Sequence, residues 1–305
     1  GRTVRPNGFT RRGDFYFSSS TDIGEVYVTE LDPVDGKMLR PPAPIAQRSA
    51  GTNVAPSWSP DGRRLASVSL SMRYGQRATT LVILSVETGE ARDVPVKLNL
   101  SFPIHVPLHL HWFPDGKSVL VVAADSLKRD QVAFYRVDVE TGDHRLLRSS
   151  PGSGIGLPEL SPDGKTLFYF TRGEPKHRGG VIACDLETGL EREIARVPYL
   201  PRPGWTNLAI SPDGKHLAVR SPVDERDWTA LRLVPATGGE LRELGRFRQS
   251  ETRDLYQLAW TPDGRYVLMV RRTGKDGIPE LWRIPIAGGE PQRTGLSAEG
   301  MDLVA

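Results

Sequence analysis

The sequence has a single cysteine among its 305 residues, which excludes a framework of disulfides. That residue, Cys184, lies in the apolar segment VIACDL and is predicted to be a buried, unreactive thiol. No apolar run reaches the length of about 18 residues that a membrane-spanning helix needs. An initiator Met and a signal-like segment are also missing, and this predicts a trimmed fragment or a mature chain.

Neither sign of charge dominates, since 40 Lys and Arg stand against 37 Asp and Glu for a net charge of +3. A protein that binds nucleic acid needs its cations clustered, and no such partner is predicted here. What the chain has in abundance is Gly (31) and Pro (25). This favours many short elements joined by turns over long helices.

A repeat of about fifty residues runs through the chain. Pro-Asp-Gly occurs five times at intervals of 54, 48, 50 and 50 residues, with its glycines at Gly62, Gly116, Gly164, Gly214 and Gly264. A degenerate copy, FTRRGDFYF, surrounds Gly13, 49 residues before Gly62. A second turn follows each first one, and its glycines are Gly36, Gly89, Gly142, Gly189, Gly238 and Gly288.

Short runs rich in β-branched and aromatic residues lie between these turns, such as TLFYF (166–170) and VIACDL (181–186). Runs of this length predict strands, and apolar residues at nearly every position predict sheets that are covered on both faces. A large apolar residue stands four positions before each turn glycine and is predicted to pack between repeats: Phe9, Trp58, Trp112, Leu160, Ile210 and Trp260.

The sequence therefore predicts an all-β protein, a six-bladed β-propeller of four-stranded antiparallel blades in one domain, 1–305. The blades are expected at about 1–43, 52–97, 107–149, 156–197, 205–246 and 255–295. The segment 300–305, GMDLVA, resembles another first strand. It is predicted either to close the ring or to begin a seventh blade of a truncated seven-bladed propeller.

The turn motif resembles that of the TolB-like, or PD40, class of WD40-like propellers. It is carried by WSPDGRRL, LSPDGKTL, ISPDGKHL and WTPDGRYV, and WFPDGKSV departs from it at Phe113. The resemblance covers nearly the whole chain. It implies a soluble bacterial binding or sensing module, often extracytoplasmic, and supplies no catalytic residues. Similar propellers also precede the hydrolase domain of prolyl-oligopeptidase-like peptidases.

Two segments, DGKS (115–118) and DGKT (163–166), contain the end of a phosphate-binding loop. The full motif needs an earlier glycine where His111 and Glu159 stand, and a helix should follow it. These segments are predicted to be turns between strands, and no cofactor is predicted.

Two histidines, His109 and His111, are two residues apart on a predicted first strand and therefore share a face. Such a pair is a common start of a metal site, but it needs a third ligand from another blade. Packing between blades is the favoured interpretation, and no metal is predicted.

The loops at the end opposite the Pro-Asp-Gly turns carry recurrent Arg, Lys and aromatic residues. This composition suits a protein or peptide partner, or a small anionic ligand. With the inner-strand residues, the candidate ligand-binding set is Arg73, Tyr74, His109, His111, Arg178, Trp205, Asn207, Arg226, Trp228 and Tyr256. A solvated loop face with no ligand is the alternative interpretation.

Three functions follow from these observations. The favoured one is a monomeric, non-enzymatic binding or sensor propeller with its ligand at the long-loop end of the central channel and no catalytic residue. The second is a metal-dependent lactonase- or lyase-like enzyme, for which the candidate ligands are few. The third is a gating propeller detached from a prolyl-oligopeptidase-like peptidase.

Overall fold

The computed structural model describes residues 3–9, 14–20, 24–32, 36–44, 52–73, 76–100, 110–125, 132–149, 158–172, 178–198, 207–223, 227–252, 258–272 and 277–297. Within these residues the protein is an all-β propeller built from four-stranded antiparallel sheets. In each sheet the four main strands that follow one another in the chain are neighbours, so each sheet is a meander. No helix in the described ranges is long and apolar enough to cross a membrane.

The first three sheets occupy the N-terminal half of the chain. Sheet 1 contains β1 (Thr3–Phe9), β2 (Asp14–Ser20), β3 (Gly24–Glu30) and β4 (Ala43–Pro44). Sheet 2 contains β5 (Thr52–Trp58), β6 (Arg64–Arg73), β7 (Gln76–Ser85) and β8 (Ala91–Val94). Sheet 3 contains β10 (Leu110–Trp112), β11 (Ser118–Asp125), β12 (Val132–Asp138) and β13 (His144–Ser149), and the short β9 (Leu98–Asn99) also pairs with β11.

The remaining sheets follow the same order. Sheet 4 contains β14 (Glu159–Leu160), β15 (Thr166–Arg172), β16 (Arg178–Asp185) and β17 (Glu191–Pro198). Sheet 5 contains β18 (Asn207–Ile210), β19 (His216–Pro222), β20 (Trp228–Pro235) and β21 (Arg242–Arg248), which runs into the one-turn helix α1 (Gln249–Thr252). Sheet 6 contains β22 (Leu258–Trp260), β23 (Tyr266–Arg272), β24 (Pro279–Pro285) and β25 (Gln292–Ser297).

The Pro-Asp-Gly segments form the predicted turns between the first and second strands of sheets 2 to 6. Their glycines have φ between 65° and 72°, the left-handed region that favours glycine. In the turn before β15, the Asp163 carboxylate accepts hydrogen bonds from the Ser161 hydroxyl at 2.6 Å and the Lys165 amide at 3.0 Å. These bonds hold the pKa of Asp163 below its usual range, and the turns at Asp61 and Asp213 repeat the arrangement.

The copy that departs from the motif has a substitute for the missing hydroxyl. Phe113 stands where the other turns have Ser or Thr, and the Arg136 guanidinium lies 4.1 Å from its ring centroid. Arg136 also forms an ion pair with Asp115 and donates to the Ser118 hydroxyl at 2.7 Å. In this turn a cation from the third strand holds the aspartate, whereas in the other turns a Ser or Thr of the turn itself does so.

The core consists of apolar clusters between successive sheets. One cluster joins sheets 2 and 3, and others join sheets 3 and 4, 4 and 5, and 5 and 6. The indole Nε1 of Trp112 donates to the Ser57 carbonyl of the preceding sheet at 2.8 Å, and Trp260 bonds the Ala209 carbonyl in the same way at 2.9 Å. Packing between repeats is thereby confirmed for these two residues.

Two further predictions have different outcomes. Cys184 is buried in the cluster between sheets 3 and 4, and burial raises the pKa of its thiol, as expected for an unreactive residue. The side chain of Phe9, the turn at Gly13 and the segment 300–305 lie outside the described residues.

Candidate functional site

The first strands of successive sheets contact one another, and we call them the innermost strands. In sheets 2 to 6 the innermost strand runs into the Pro-Asp-Gly turn, so these strands begin at the opposite end of the sheets. We call this opposite end the loop end, because second strands end there and third strands begin there. Connecting segments on a rigid scaffold commonly carry binding residues. The first residues of the innermost strands are therefore the scaffold positions nearest to any ligand at the loop end.

Polar side chains link the innermost strands of three successive sheets. His111 Nε2 on β10 lies 3.1 Å from the Pro158 carbonyl oxygen and 3.4 Å from Glu159 Oε1 on β14. The other carboxylate oxygen of Glu159 accepts from the Ile210 amide on β18 at 3.4 Å. Glu159 is buried, and burying a carboxylate is costly unless partners hold it. The His111 imidazole and the Ile210 amide are the partners of this carboxylate.

Asn207 is the first residue of β18 and is only 1% exposed. Neither its Nδ2 nor its Oδ1 has a hydrogen-bond partner in the part of the chain that the structure describes. A buried polar group left without a partner costs about 1–3 kcal/mol. A carboxamide in this position is therefore not explained by a contribution to stability.

Arg220 lies opposite Asn207 on the neighbouring strand β19 and is 2% exposed. Residues directly opposite on antiparallel strands place their side chains on the same face of the sheet. A guanidinium presents five donors in a planar fork that matches carboxylates and phosphates. Sheet 5 thus places a donor-rich pair at the loop end.

Sheet 6 contributes a second arginine at this end. The Arg271 guanidinium lies 4.7 Å from the ring centroid of Phe247 and 4.5 Å from that of Trp282. Its amino group donates to Glu251 Oε2 on α1 at 2.9 Å. The stack and the ion pair fix this side chain between β21 and β24, and they fasten α1 to sheet 6.

The structure describes the side chains of three candidates from the sequence. His111 and Asn207 lie on innermost strands, with Glu159 on the sheet between them. Asn207 is the first residue of β18, whereas His111 stands one residue before the end of β10 and is nearer to the Pro-Asp-Gly turn. That these residues bind a ligand stays a prediction. Trp228 begins β20, the third strand of sheet 5, where Arg248 covers its ring at 4.9 Å. It is therefore not part of the innermost polar group.

The other candidate residues from the sequence lie partly or wholly outside the described residues. Arg73 ends β6 and Arg178 begins β16, which places both backbones at the loop end. Their side chains, and all of Tyr74, His109, Trp205, Arg226 and Tyr256, lie outside the described residues.

Sequence reasoning missed Glu159, Arg220 and Arg271. A signal for Glu159 exists, because it stands five residues before its turn glycine, as His111 does in the preceding repeat. The equivalent residues in the next two repeats are Ala209 and Ala259, so a large polar residue there breaks the pattern.

The His111–Glu159 pair offers two side chains of the kinds that hold metals. In the ranges that the structure describes, no group of three or more His, Cys, Asp or Glu residues could hold an ion. The short DGKS and DGKT segments lie in turns between strands, where the Asp115 and Asp163 carboxylates accept the following lysine amides.

Comparison with solved structures identifies the fold. TolB from Acinetobacter baumannii superposes with a TM-score of 0.63 and 17% identity over 96% of this chain and 65% of that chain. The chain has the fold of a TolB-like β-propeller. The resemblance predicted from the turn motif is confirmed at the level of the fold.

Enzymes share this propeller architecture. An oligogalacturonate lyase in complex with manganese superposes with a TM-score of 0.62 at 15% identity, over 96% of this chain and 78% of the lyase. A prolyl endopeptidase superposes with a TM-score of 0.58 at 14% identity, over 97% of this chain and 43% of the endopeptidase. Likeness at such identities extends to the fold alone.

One curated protein is similar in sequence. The uncharacterized peptidase YuxL of Bacillus subtilis strain 168 is 33% identical over 147 residues, which cover 37% of this chain and 21% of that protein. The match thus spans about a fifth of the length of that relative. No protein-family model matches the chain.

Proposed function

We propose that this chain is a non-enzymatic binding propeller that holds a protein or peptide partner, or a small anionic ligand, at the loop end. The observation that carries the proposal is the carboxamide of Asn207, which is 1% exposed and has no hydrogen-bond partner among the described residues. A buried polar group without a partner is uncommon in native proteins and calls for an explanation, and a bound ligand would supply one. His111 and Glu159 add further polar groups on the innermost strands of sheets 3 and 4.

The scaffold in this proposal is a single domain of six blades in a closed ring, with blade limits close to those expected from the sequence. Contacts between innermost strands support it, since β5 lies against β1 and β10, β18 against β14 and β22, and β22 against β1. Gly36 in sheet 1 also lies against sheet 6, where a Cβ on it would come within 3.1 Å of Arg283 Cδ. These contacts join the last sheet to the first.

Binding at the loop end can be tested with two probes, a randomised hexapeptide pool with free termini and citrate. We expect at least one probe to raise the melting temperature and to bind in titration calorimetry. His111→Ala should weaken this binding at least fivefold, whereas Lys165→Ala, an exposed substitution in a Pro-Asp-Gly turn, should leave it unchanged. Failure of both probes to bind, or weaker binding only in Lys165→Ala, would contradict the proposal.

A metal-dependent lyase-like enzyme is the second candidate, and the His111–Glu159 pair favours it. Elemental analysis of protein purified without chelators separates the two functions. If one equivalent of a transition metal is retained and is lost in His111→Ala, the enzyme would be favoured over the binding propeller. A protein free of metal that still binds peptide or citrate would support the binding function.

The propeller of a larger peptidase is the third candidate, and the similarity to the Bacillus subtilis peptidase favours it. The gene sequence around the segment that encodes these residues is the test. A hydrolase domain in the same reading frame would support this candidate and would make the loop end a place for peptide substrates.

A further inference from the structure

We infer that two copies of this chain associate through a surface between sheets 3 and 4, with Leu190, Arg145 and Glu187 at the contact. The surface lies at the end of the sheets that carries the Pro-Asp-Gly turns, which we call the turn end. The inference therefore does not depend on the proposed binding function at the loop end. It replaces the monomer that the sequence predicted with a weak, reversible dimer.

Arginines of the fourth strands fasten one sheet to the next at the turn end. Arg92 on β8 of sheet 2 donates to two carbonyls in the turn of sheet 3, those of Val139 and Glu140, each at 3.0 Å. Sheets 4 and 5 make the same contact to the turns of sheets 5 and 6 through Arg192 and Arg242. The contact is thus a regular feature that ties neighbouring sheets together.

Arg145 stands at the corresponding position on β13 of sheet 3 but makes no such contact. It comes three residues after its turn glycine, as Arg92 does. Arg136, directly opposite on β12, covers the Phe113 ring in the cluster between sheets 3 and 4, so Arg145 shares the face toward sheet 4. Arg145 is exposed and has no hydrogen bond or ion pair with any residue that the structure describes. Its charge is therefore available at the rim between these sheets.

Glu187 is an unpaired anion at the same rim. It stands two residues before the turn glycine of sheet 4, as Glu140 does in sheet 3. Glu140 forms ion pairs with Arg92 at 2.8 Å and with Arg64 at 3.5 Å. The exposed carboxylate of Glu187 has no partner in the described ranges. The rim between sheets 3 and 4 thus carries one free charge of each sign.

Leu190 is the apolar residue of this surface. It follows the turn glycine of sheet 4 and is 73% exposed, the highest value among the large apolar side chains that the structure describes. The other repeats have a charged residue at this position, namely Lys37, Glu90, Asp143, Glu240 and Glu290. One exposed leucine alone would need no explanation. Here it shares a five-residue turn with Glu187 and faces solvent where every other repeat is charged.

Charge complementarity favours a second copy as the partner. A two-fold axis beside Leu190 brings the two leucines together and sets Arg145 of each copy against Glu187 of the other. A partner of one charge sign would be repelled by one of these two residues, whereas the surface is complementary to itself. Ion pairs at a rim contribute more to specificity than to affinity. Because the surface is small compared with the interfaces of stable dimers, the association is weak.

Sedimentation velocity from micromolar to millimolar concentration of the protein measures this dimer. Leu190→Glu, which introduces the residue that sheets 2, 5 and 6 have at this position, should weaken it at least tenfold without changing the melting temperature. Leu39→Glu is the matched control, because Leu39 is 53% exposed on the connection between β3 and β4 of sheet 1. It should dimerise like the parent protein.

Charge exchange tests the two-fold arrangement. Arg145→Glu alone and Glu187→Arg alone should each weaken the dimer at least tenfold, because each variant sets two pairs of like charges against each other. An equimolar mixture of the two variants should regain the parent affinity, since both pairs in a mixed dimer then unite opposite charges. The double variant should regain it as well.

Three results would overturn the inference. The first is a protein that stays monomeric at millimolar concentration. The second is a dimer that survives Leu190→Glu, since another surface would then hold it. The third is a pair of single variants that lose stability and are not rescued by mixing, because Arg145 and Glu187 would then pair within one chain. None of these results bears on the peptide and citrate measurements at the loop end, so the two proposals fail independently.

Discussion

The first prediction concerns a hydrogen bond within sheet 4 whose acceptor also contacts an arginine of sheet 3. The Tyr169 hydroxyl on β15 donates to Glu191 Oε1 on β17, and Arg148 Nε on β13 of the preceding sheet lies 2.7 Å from the same oxygen. Tyr169 is fully buried, with an exposure of 0%, whereas the Glu191 and Arg148 side chains are partly exposed. The Glu191 carboxylate therefore joins a core residue of sheet 4 to the last strand of the preceding sheet 3.

Tyr169→Phe removes this bond with little change in packing. A hydrogen bond to a charged group contributes about 1.5–3 kcal/mol. Glu191 keeps Arg148 and some access to water, so we expect a loss near the lower value, about 1.5 kcal/mol. The measurement is the free energy of unfolding from urea denaturation at neutral pH. Tyr266→Phe is the matched control, and a surface change of this kind should stay within about 0.5 kcal/mol.

The same variant should alter the response to alkali. Burial, followed by the hydrogen bond to Glu191 and its negative charge, raises the pKa of Tyr169 well above its ordinary value of 10.0. The folded protein therefore keeps this proton at a pH where the unfolded chain releases it. Stability from this group is complete below about pH 10 and falls above it, by up to about 1.4 kcal/mol per pH unit.

The difference in stability between the parent protein and Tyr169→Phe should therefore shrink between about pH 10 and 11. Urea denaturation at both pH values, beside the neutral measurement, gives the comparison. A cost below about 0.5 kcal/mol at neutral pH would show that the bond contributes no more than an ordinary surface change. A difference that stays constant from neutral pH to pH 11 would refute the account of the raised pKa.

Two further predictions concern the turns. Gly142→Ala should destabilise the protein far more than Gly89→Ala. A Cβ on Gly142 would lie 2.2 Å from the Pro95 carbonyl oxygen, whereas a Cβ on Gly89 would have no described atom within 4 Å. Both glycines have positive φ, so urea denaturation should give about 1 kcal/mol for Gly89→Ala, and equal losses would contradict the packing of sheet 2 against sheet 3. Asp163→Asn should be less stable than the parent protein at pH 6, because hydrogen bonds lower the pKa of Asp163 and its contribution is present above the ordinary value of 3.8. The two proteins should converge as acid protonates the carboxylate, and a gap that persists at about pH 2 in urea denaturation would argue against this origin.

Much of the fold could be predicted because the strands and turns of each repeat depend on residues that are close together in the sequence. The runs 166–170 and 181–186 lie within the observed strands Thr166–Arg172 and Arg178–Asp185, since β-branched and aromatic residues on two apolar faces leave few alternatives. The turn glycines adopt positive φ for the same local reason. Strand limits are less predictable, because β14 has two residues and β5 has seven although both precede a Pro-Asp-Gly turn.

The candidate site was harder to predict because its contacts join different repeats. His111 and Glu159 are 48 residues apart, yet their side chains approach to 3.4 Å because innermost strands of successive sheets lie side by side. Arg220 had no distinguishing motif, and only its place opposite Asn207 reveals it. Such pairs depend on how sheets are arranged, which the composition of a loop does not report.

The Pro-Asp-Gly turns and the innermost strands differ in how their polar groups find partners, and this difference supports the proposed binding function. In its turn, Asp163 finds its partners among residues of the turn itself. On the innermost strands, Glu159 contacts partners from two neighbouring sheets, and Asn207 has no hydrogen-bond partner among the described residues. Residues that break the repeat on the innermost strands are therefore better guides to function in this propeller than the residues that define it.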